Sequence, residues 1–188
     1  MDGIRIFFKS NLQVDCLIGQ HMSAEQNGMP EKKGTDMLQF HHIGYLVKEI
    51  EPSVEAFRRL GYEVEHPPAE DPIRRTYMAF LVKDGARVEL VSPMDQQSPI
   101  YGLMRHHKNA PYHLCFTADD FDGEINRLEA EGYSMFLEPQ PAPCMGWGKV
   151  VFLMHPNIGM IELYDGKVNK QTTACSPKEM QNAGDLTI

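Results

Sequence analysis

The 188-residue chain has no apolar run approaching the roughly 18 residues of a membrane-spanning helix. Its opening, MDGIRIFFKSNLQVDCLIG, holds a brief apolar patch but neither the long apolar core nor the small-residue cleavage site of a secretory signal. Basic charge is scarce: 18 Lys and Arg against 26 Asp and Glu leave a net charge of −8 and a pI near 5.4. A nucleic-acid footprint needs a basic face, so neither nucleic acid nor membrane is an expected partner. A local positive pocket for an anionic small molecule is still compatible with that balance. Cysteine is sparse too. Cys16, Cys115, Cys144 and Cys175 stand far apart with no CxxC pair. With no secretory signal ahead of them, they read as free thiols in a reduced, cytoplasmic protein.

What is present is a repeat. His42-Ile43-Gly44-Tyr45 stands over His113-Leu114-Cys115-Phe116 at a constant offset of 71 positions. At the same offset Ile50, Val54 and Phe57 stand over Phe121, Ile125 and Leu128, and Gly61-Tyr62 over Gly132-Tyr133. Val88-Glu89-Leu90 matches Ile161-Glu162-Leu163 slightly further apart. With 42% hydrophobic residues, the length suits one compact domain or two fused modules.

Each copy reads as β-α-β-β-β. In the first, residues 40–47 form a strand by β-branched and aromatic content. Glu51-Pro52-Ser53 opens a helix whose apolar stripe is Ile50, Val54 and Phe57, ended by Gly61. Strands follow at 62–65, 76–82 and 87–92, with a Pro-rich loop at 66–72 and a turn at Lys83-Asp84-Gly85. The second copy predicts a strand at 112–118, a helix at 120–131, and strands at 133–137, 149–154 and 160–164, with a long Pro/Gly loop at 138–148. Between the copies, Ser98 is the expected N-cap of a short helix reaching about Arg105. Module one thus spans 38–94 and module two 111–165, inside a domain of 38–166. Residues 1–37 read as a polar, flexible extension by their lack of period, and 167–188 as a tail. Met37, just before the first strand, could serve as an alternative start.

Strand alternation puts the side chains of Val88, Leu90, Ile161 and Leu163 on the helix-covered face. Glu89 and Glu162 therefore point the other way, onto a concave face. A buried carboxylate is costly unless paired, and a divalent cation pairs with it well. If a pseudo-twofold axis relates the copies, His42, Glu89, His113 and Glu162 converge on one point as a metal site. Mixed nitrogen and oxygen donors suit Zn, Ni, Co or Mn, and also Fe. A single strand histidine is more often a satisfied core residue than a ligand, and it is the recurrence in both copies that singles these two out. His41, His66, His106, His107 and His155 show no such recurrence and read as ordinary structural or surface residues. Arg74 and Arg75 could meet a substrate carboxylate or phosphate, or simply begin an exposed basic strand.

The segments FHHIGYLV, RVELVSPMDQQSPI, APYHLCF and KVVFLMHPNIGMIELYD, in this order, resemble the vicinal oxygen chelate superfamily over about residues 38–166. The likeness is greatest to its single-chain methylmalonyl-CoA epimerase and glyoxalase I (lactoylglutathione lyase) branches. It implies an α+β fold in which two tandem modules form a curled mixed sheet around a metal cleft. It also implies metal ligation by His42, Glu89, His113 and Glu162, with Glu162 a catalytic acid/base. The epimerases use a second glutamate in a P-E-x-G-V-type segment. Here that region reads Ala69-Glu70-Asp71-Pro72-Ile73-Arg74-Arg75, with different spacing, so Glu70, with Asp71 as the alternative, is the expected second group. The implied activity is proton transfer beside a carbonyl or thioester on an acyl-CoA. The alternative is a glyoxalase I reaction on the thiol adduct of an α-ketoaldehyde. A homodimer is compatible with the resemblance. A metal-free binding protein lacks such a ligand set, and an Fe(II) ring-cleaving dioxygenase wants two His and one Glu, which leaves Glu89 over.

Because residues 1–36 carry no periodic apolar pattern, a chain starting at Met37 is expected to stay soluble and to melt within a few degrees of the full chain. Insolubility or a large fall in melting temperature, measured by circular dichroism, would show that the extension packs on the domain.

Overall fold

The computed structural model describes residues 38–167. The readings made for residues 1–37 and for the tail beyond 167, and for Cys16 and Cys175 within them, lie outside the described residues. In module one the elements are β1 (Gln39–Leu46), α1 (Ile50–Arg59), β2 (Glu63–Asp71), β3 (Thr76–Lys83) and β4 (Ala86–Pro93). A short helix α2 (Tyr101–His107) leads to module two, made of β5 (Ala110–Thr117), α3 (Phe121–Ala130), β6 (Ser134–Ala142), β7 (Gly148–His155) and β8 (Gly159–Tyr164). All eight strands form one mixed sheet in the order β2-β3-β4-β1-β5-β8-β7-β6. β1 runs parallel to β4 and β5 parallel to β8, while β1 and β5 pair antiparallel at the centre. The order is symmetric about that central pair, as a duplicated unit requires. The α+β reading with two β-α-β-β-β modules is borne out.

The repeated apolar residues build two matching cores. Ile50 and Val54 of α1 pack with Ala79, Leu81, Val88 and Leu90. Phe121, Ile125 and Leu128 of α3 pack with Val151, Leu153, Ile161 and Leu163. Leu81, Leu90, Leu153 and Leu163 are fully buried, and each such side chain contributes about 1.5–3 kcal/mol. These clusters take one face of the sheet, so alternation turns Phe80, Glu89, Phe152 and Glu162 to the other. The α3 N-terminus is capped by Asp120, whose carboxylate accepts from the Gly123 N–H at 3.1 Å. The β3–β4 turn places Asp84 and Gly85 at φ of 50° and 80°, the left-handed pair that a two-residue hairpin needs.

Four expectations need correction. The Pro-rich segment 66–72 is not a loop, because β2 continues through it to Asp71. The loop foreseen at 138–148 is likewise strand β6 as far as Ala142, followed by a single 3-10 turn at Pro143–Met145. Both are the outermost strands of the sheet, where proline's missing N–H faces no neighbour. Register shifts at Val64/His66 and His66/Ala69, and at Met135/Leu137 and Leu137/Gln140, absorb the irregularity. Ser98 does not cap α2. The helix starts at Tyr101 and the Ser98 hydroxyl instead donates to the Arg74 carbonyl at 3.2 Å. Finally, Cys115 is a buried free thiol but Cys144 is disulfide-bonded. Wide separation in sequence sets no limit on separation in space. No helix among the described residues is long and apolar enough to cross a membrane.

Candidate metal centre

Strand register assembles the site in two equivalent rows. In one, Phe80 of β3 faces Glu89 of β4, Glu89 faces Gly44 of β1, and Gly44 faces His113 of β5. In the other, Phe152 of β7 faces Glu162 of β8, Glu162 faces Cys115 of β5, and Cys115 faces His42 of β1. Each row carries the glutamate of one module and the histidine of the other. The two rows run side by side where they overlap on β1 and β5, and the four side chains meet there.

All four are buried: His42 is 0% exposed, Glu89 2%, His113 3% and Glu162 3%. His42 Nε2 lies 3.3 Å from Glu89 Oε2 and 3.3 Å from Glu162 Oε2. His113 Nε2 lies 3.4 Å from Glu162 Oε2 and 3.7 Å from Glu89 Oε2. The two Nε2 atoms are 3.2 Å apart. Donors about 2.0–2.2 Å from one tetrahedral or octahedral ion stand roughly 3.0–3.6 Å from each other, and this cluster has nearly those separations. Glu162 Oε2 sits within ion-pair distance of both imidazoles yet makes no hydrogen bond with acceptable angles among the described residues, and neither does His113 Nδ1. A buried carboxylate oxygen without a hydrogen bond, aimed at a shared point, is compatible with a cation there. Two imidazoles and two carboxylates could hold a divalent ion and neutralise it.

The electrostatics favour positive charge among the four side chains. Burial lowers the affinity of His42 for a proton, but Glu89 and then Glu162 outweigh it and push the imidazole up to about 9. Burial raises the Glu162 carboxyl, while His113 and then His42 hold it well below the usual carboxylate range. A proton on His42 thus occupies the role that a metal ion would fill.

Several residues here were missed by sequence reasoning. Gly44 is required by close approach, since a Cβ on it would fall 2.0 Å from His113 Cε1. Its counterpart Cys115 places a sulfur within 4.8 Å of donor atoms on His41 and His42, and its thiol is pushed up by burial and by Glu162. Phe80 and Phe152 wall the site, with ring centroids 5.4 Å from His42 and His113 respectively. His41 and Tyr112 are also counterparts, each immediately before a clustered histidine. Both sit at register shifts between β1 and β5, where an extra residue is left unpaired and re-aimed. The His41 ring lies with its Nδ1 2.8 Å from His42 Nδ1 and its Nε2 2.6 Å from Arg87 Nη1. A neutral His41 ring has one acceptor nitrogen, so it can accept from Arg87 or from a His42 Nδ1–H, the arrangement that a metal on His42 Nε2 needs, but not from both at once. Burial, then His42 and Arg87, lower the His41 imidazole to about 4, which keeps it neutral. The offset of 71 was the available signal for this pair; strict alternation, which bulges break, concealed it.

Glu70 is not brought to the cluster. Ala69 and Asp71 of β2 turn inward at 0% exposure, so Glu70 between them turns outward. Asp71 is occupied by Arg74. Arg74 is buried, whereas Arg75 is exposed and paired with Asp95. A cavity adjoins the cluster, lined by Glu89, Glu162, Tyr112, Phe152, Met160 and Arg74 among others.

Comparison with known proteins agrees with this architecture. Residues 41–152 match the glyoxalase/bleomycin resistance protein/dioxygenase superfamily, and the chain belongs to that family. An ethylmalonyl-CoA/methylmalonyl-CoA epimerase of Cereibacter sphaeroides is 25% identical over 118 residues, covering 62% of this chain and 87% of the relative. The mitochondrial methylmalonyl-CoA epimerase of Mus musculus is 24% identical over 151 residues, covering 78% and 83%. Among solved structures, methylmalonyl-CoA epimerase from Mycobacterium tuberculosis shares the fold with a TM-score of 0.60 at 22% identity, over 70% of this chain and 90% of that one.

Metal uptake must displace the His42 proton, and this gives a test. Calorimetric titration with Zn²⁺ is expected to give one ion per chain, with affinity rising by up to about tenfold per pH unit toward pH 9 and levelling above it. His113→Ala is expected to abolish most of the uptake with the fold retained. Affinity that is flat from pH 6 to 9, or unchanged in His113→Ala, would contradict the assignment.

Proposed function

We propose that the chain is a metal-dependent enzyme that moves a proton at the carbon beside a carbonyl or thioester, acting on an acyl-CoA in the manner of an epimerase. The observation that carries this reading is the four-donor cluster opening on a mainly apolar cavity. A divalent ion held by His42, Glu89, His113 and Glu162 supplies Lewis-acid polarisation of the substrate carbonyl, which acidifies the neighbouring C–H. The relatives that are epimerases of methylmalonyl-CoA support the acyl-CoA substrate class.

In this reading the protein's own residues divide the work. Glu162 takes the proton from the α-carbon, since it is ionised, desolvated and held at the cavity wall. Inversion needs the proton returned on the opposite face. The exposed position of Glu70 counts against it there. Glu89 is the counterpart of Glu162 across the pseudo-twofold axis and lines the same cavity, which favours it as the second group. Phe80, Phe152 and Met160 exclude water and so keep the removed proton with the protein. His42 and His113 hold the ion and the carboxylates in register. A glyoxalase I reaction uses the same proton transfer on a thiol adduct, and the family itself includes glyoxalases.

Positioned proton transfer contributes about 10²–10⁴-fold in rate, so Glu162→Gln is expected to lose activity by at least about 10²-fold. Metal content measured in the same preparation separates this from simple loss of the ion. In deuterated water the wild-type protein is expected to wash deuterium into the α-carbon of methylmalonyl-CoA, read by mass spectrometry. Turnover of methylglyoxal only in the presence of glutathione would move the assignment to the glyoxalase I reaction. Neither signal from a metal-loaded sample would defeat the proton-transfer reading.

A further inference from the structure

The cavity has a second polar end that the metal cluster does not use. On β3, Phe80, Met78 and Thr76 share a face, opposite Glu89, Val91 and Pro93 of β4. At about 3.3 Å per residue, Thr76 lies roughly 13 Å along the strand from Phe80 and the glutamate it faces. Arg74 stands just before it, in the β2–β3 turn. Arg74 and Thr76 nevertheless line the same cavity as Glu89 and Glu162. Between the two ends the wall is apolar, with Met78 and Val91 on this side.

Arg74 is 8% exposed and held from several directions. The Asp71 carboxylate accepts from the backbone N–H of Ile73 at 2.9 Å and of Arg74 at 3.2 Å, and pairs with the guanidinium. Arg74 Nη1 donates to the Pro141 carbonyl of module two at 3.0 Å, and the Ser98 hydroxyl donates to the Arg74 carbonyl. A guanidinium presents five N–H donors in a rigid fork, more than these contacts consume. Beside it, the Thr76 hydroxyl is buried at 2% exposure and has no hydrogen-bond partner among the described residues. A buried orphan hydroxyl is rare in a folded protein and calls for a ligand that completes it. Next to a preoriented guanidinium, the ligand chemistry that accepts from both is an anion with a planar pair of oxygens.

We propose that Arg74 and Thr76 bind a carboxylate at the end of the substrate remote from the ion, so that the substrate chelates the metal with one end and is read as an acid at the other. This rests on the four-donor cluster being a metal site, but not on the substrate being a CoA thioester. Asp71 acts as a positioning residue by orienting Arg74. The apolar span between the ends selects substrates with a hydrocarbon segment separating the chelating oxygens from the carboxylate.

Calorimetry on the Zn²⁺-loaded full chain tests this with two probes, 2-hydroxyoctanedioate and 2-hydroxyoctanoate. Both carry a chelating 2-hydroxy acid, and only the first adds the terminal carboxylate. The dicarboxylate is expected to bind at least about tenfold more tightly. Thr76→Val and Arg74→Lys are each expected to shrink that ratio below about threefold. Thr76→Val keeps the side-chain shape and loses no bond within the protein, so its melting temperature and metal content are expected to match the wild type. Equal binding of the two probes by the wild type, a ratio unchanged in both variants, or no binding of either probe overturns the proposal. A preference that depends on Arg74 and Thr76, found without deuterium exchange into any acyl-CoA, supports this site and removes the acyl-CoA reading alone.

Discussion

Two carboxylates sit inside the sheet at 2% and 3% exposure, facing two imidazoles that are buried as deeply. That arrangement sets the terms for the rest of the structure. A buried charge is tolerated only when opposite charge and hydrogen bonds surround it, and here each glutamate faces both histidines, one from each module. The antiparallel β1–β5 pair at the centre of the sheet is what brings the partners together, and it explains why the duplicated halves form one sheet rather than two.

The two halves share a scaffold but not an environment. Gly44 in one row leaves space for the His113 ring, whereas Cys115 in the other stands against His42. Before the two histidines, His41 leads outward to Arg87 and Glu65 through contacts of 2.6 and 2.5 Å. Tyr112 in the matching position instead forms part of the cavity wall, its phenol raised by burial and by the nearby glutamates and so kept as a neutral O–H. One half therefore supplies a polar buttress behind the cluster, and the other a cavity in front of it. A nearly symmetric cluster of donors thereby opens onto an asymmetric pocket.

Much of this was legible in the residues because duplication states the pattern twice. The constant offset picked out His42 with His113 and, nearly in phase, Glu89 with Glu162. Period-two alternation around Val88, Leu90, Ile161 and Leu163 then told which face the glutamates take. What stayed hidden has physical causes. Prolines at 67, 68, 139 and 141 read as loop, although edge strands accept them. Bulges carried His41 and Tyr112 out of the alternation. The exposed side of Glu70 depends on how β2 continues past two prolines, which the local spacing could not convey. The orphaned Thr76 hydroxyl is a property of the packed cavity and has no signature in the chain.

The central claim is that one divalent ion is held by His42, His113, Glu89 and Glu162 together. X-ray absorption at the zinc edge of the Zn²⁺-loaded protein reads those neighbours directly. The account predicts a shell of nitrogen and oxygen only, at about 2.0–2.2 Å, with the outer-shell scattering of two imidazoles that falls to one in His113→Ala. A sulfur neighbour at about 2.3 Å, drawing Cys115 into the shell, or the absence of imidazole scattering would contradict it.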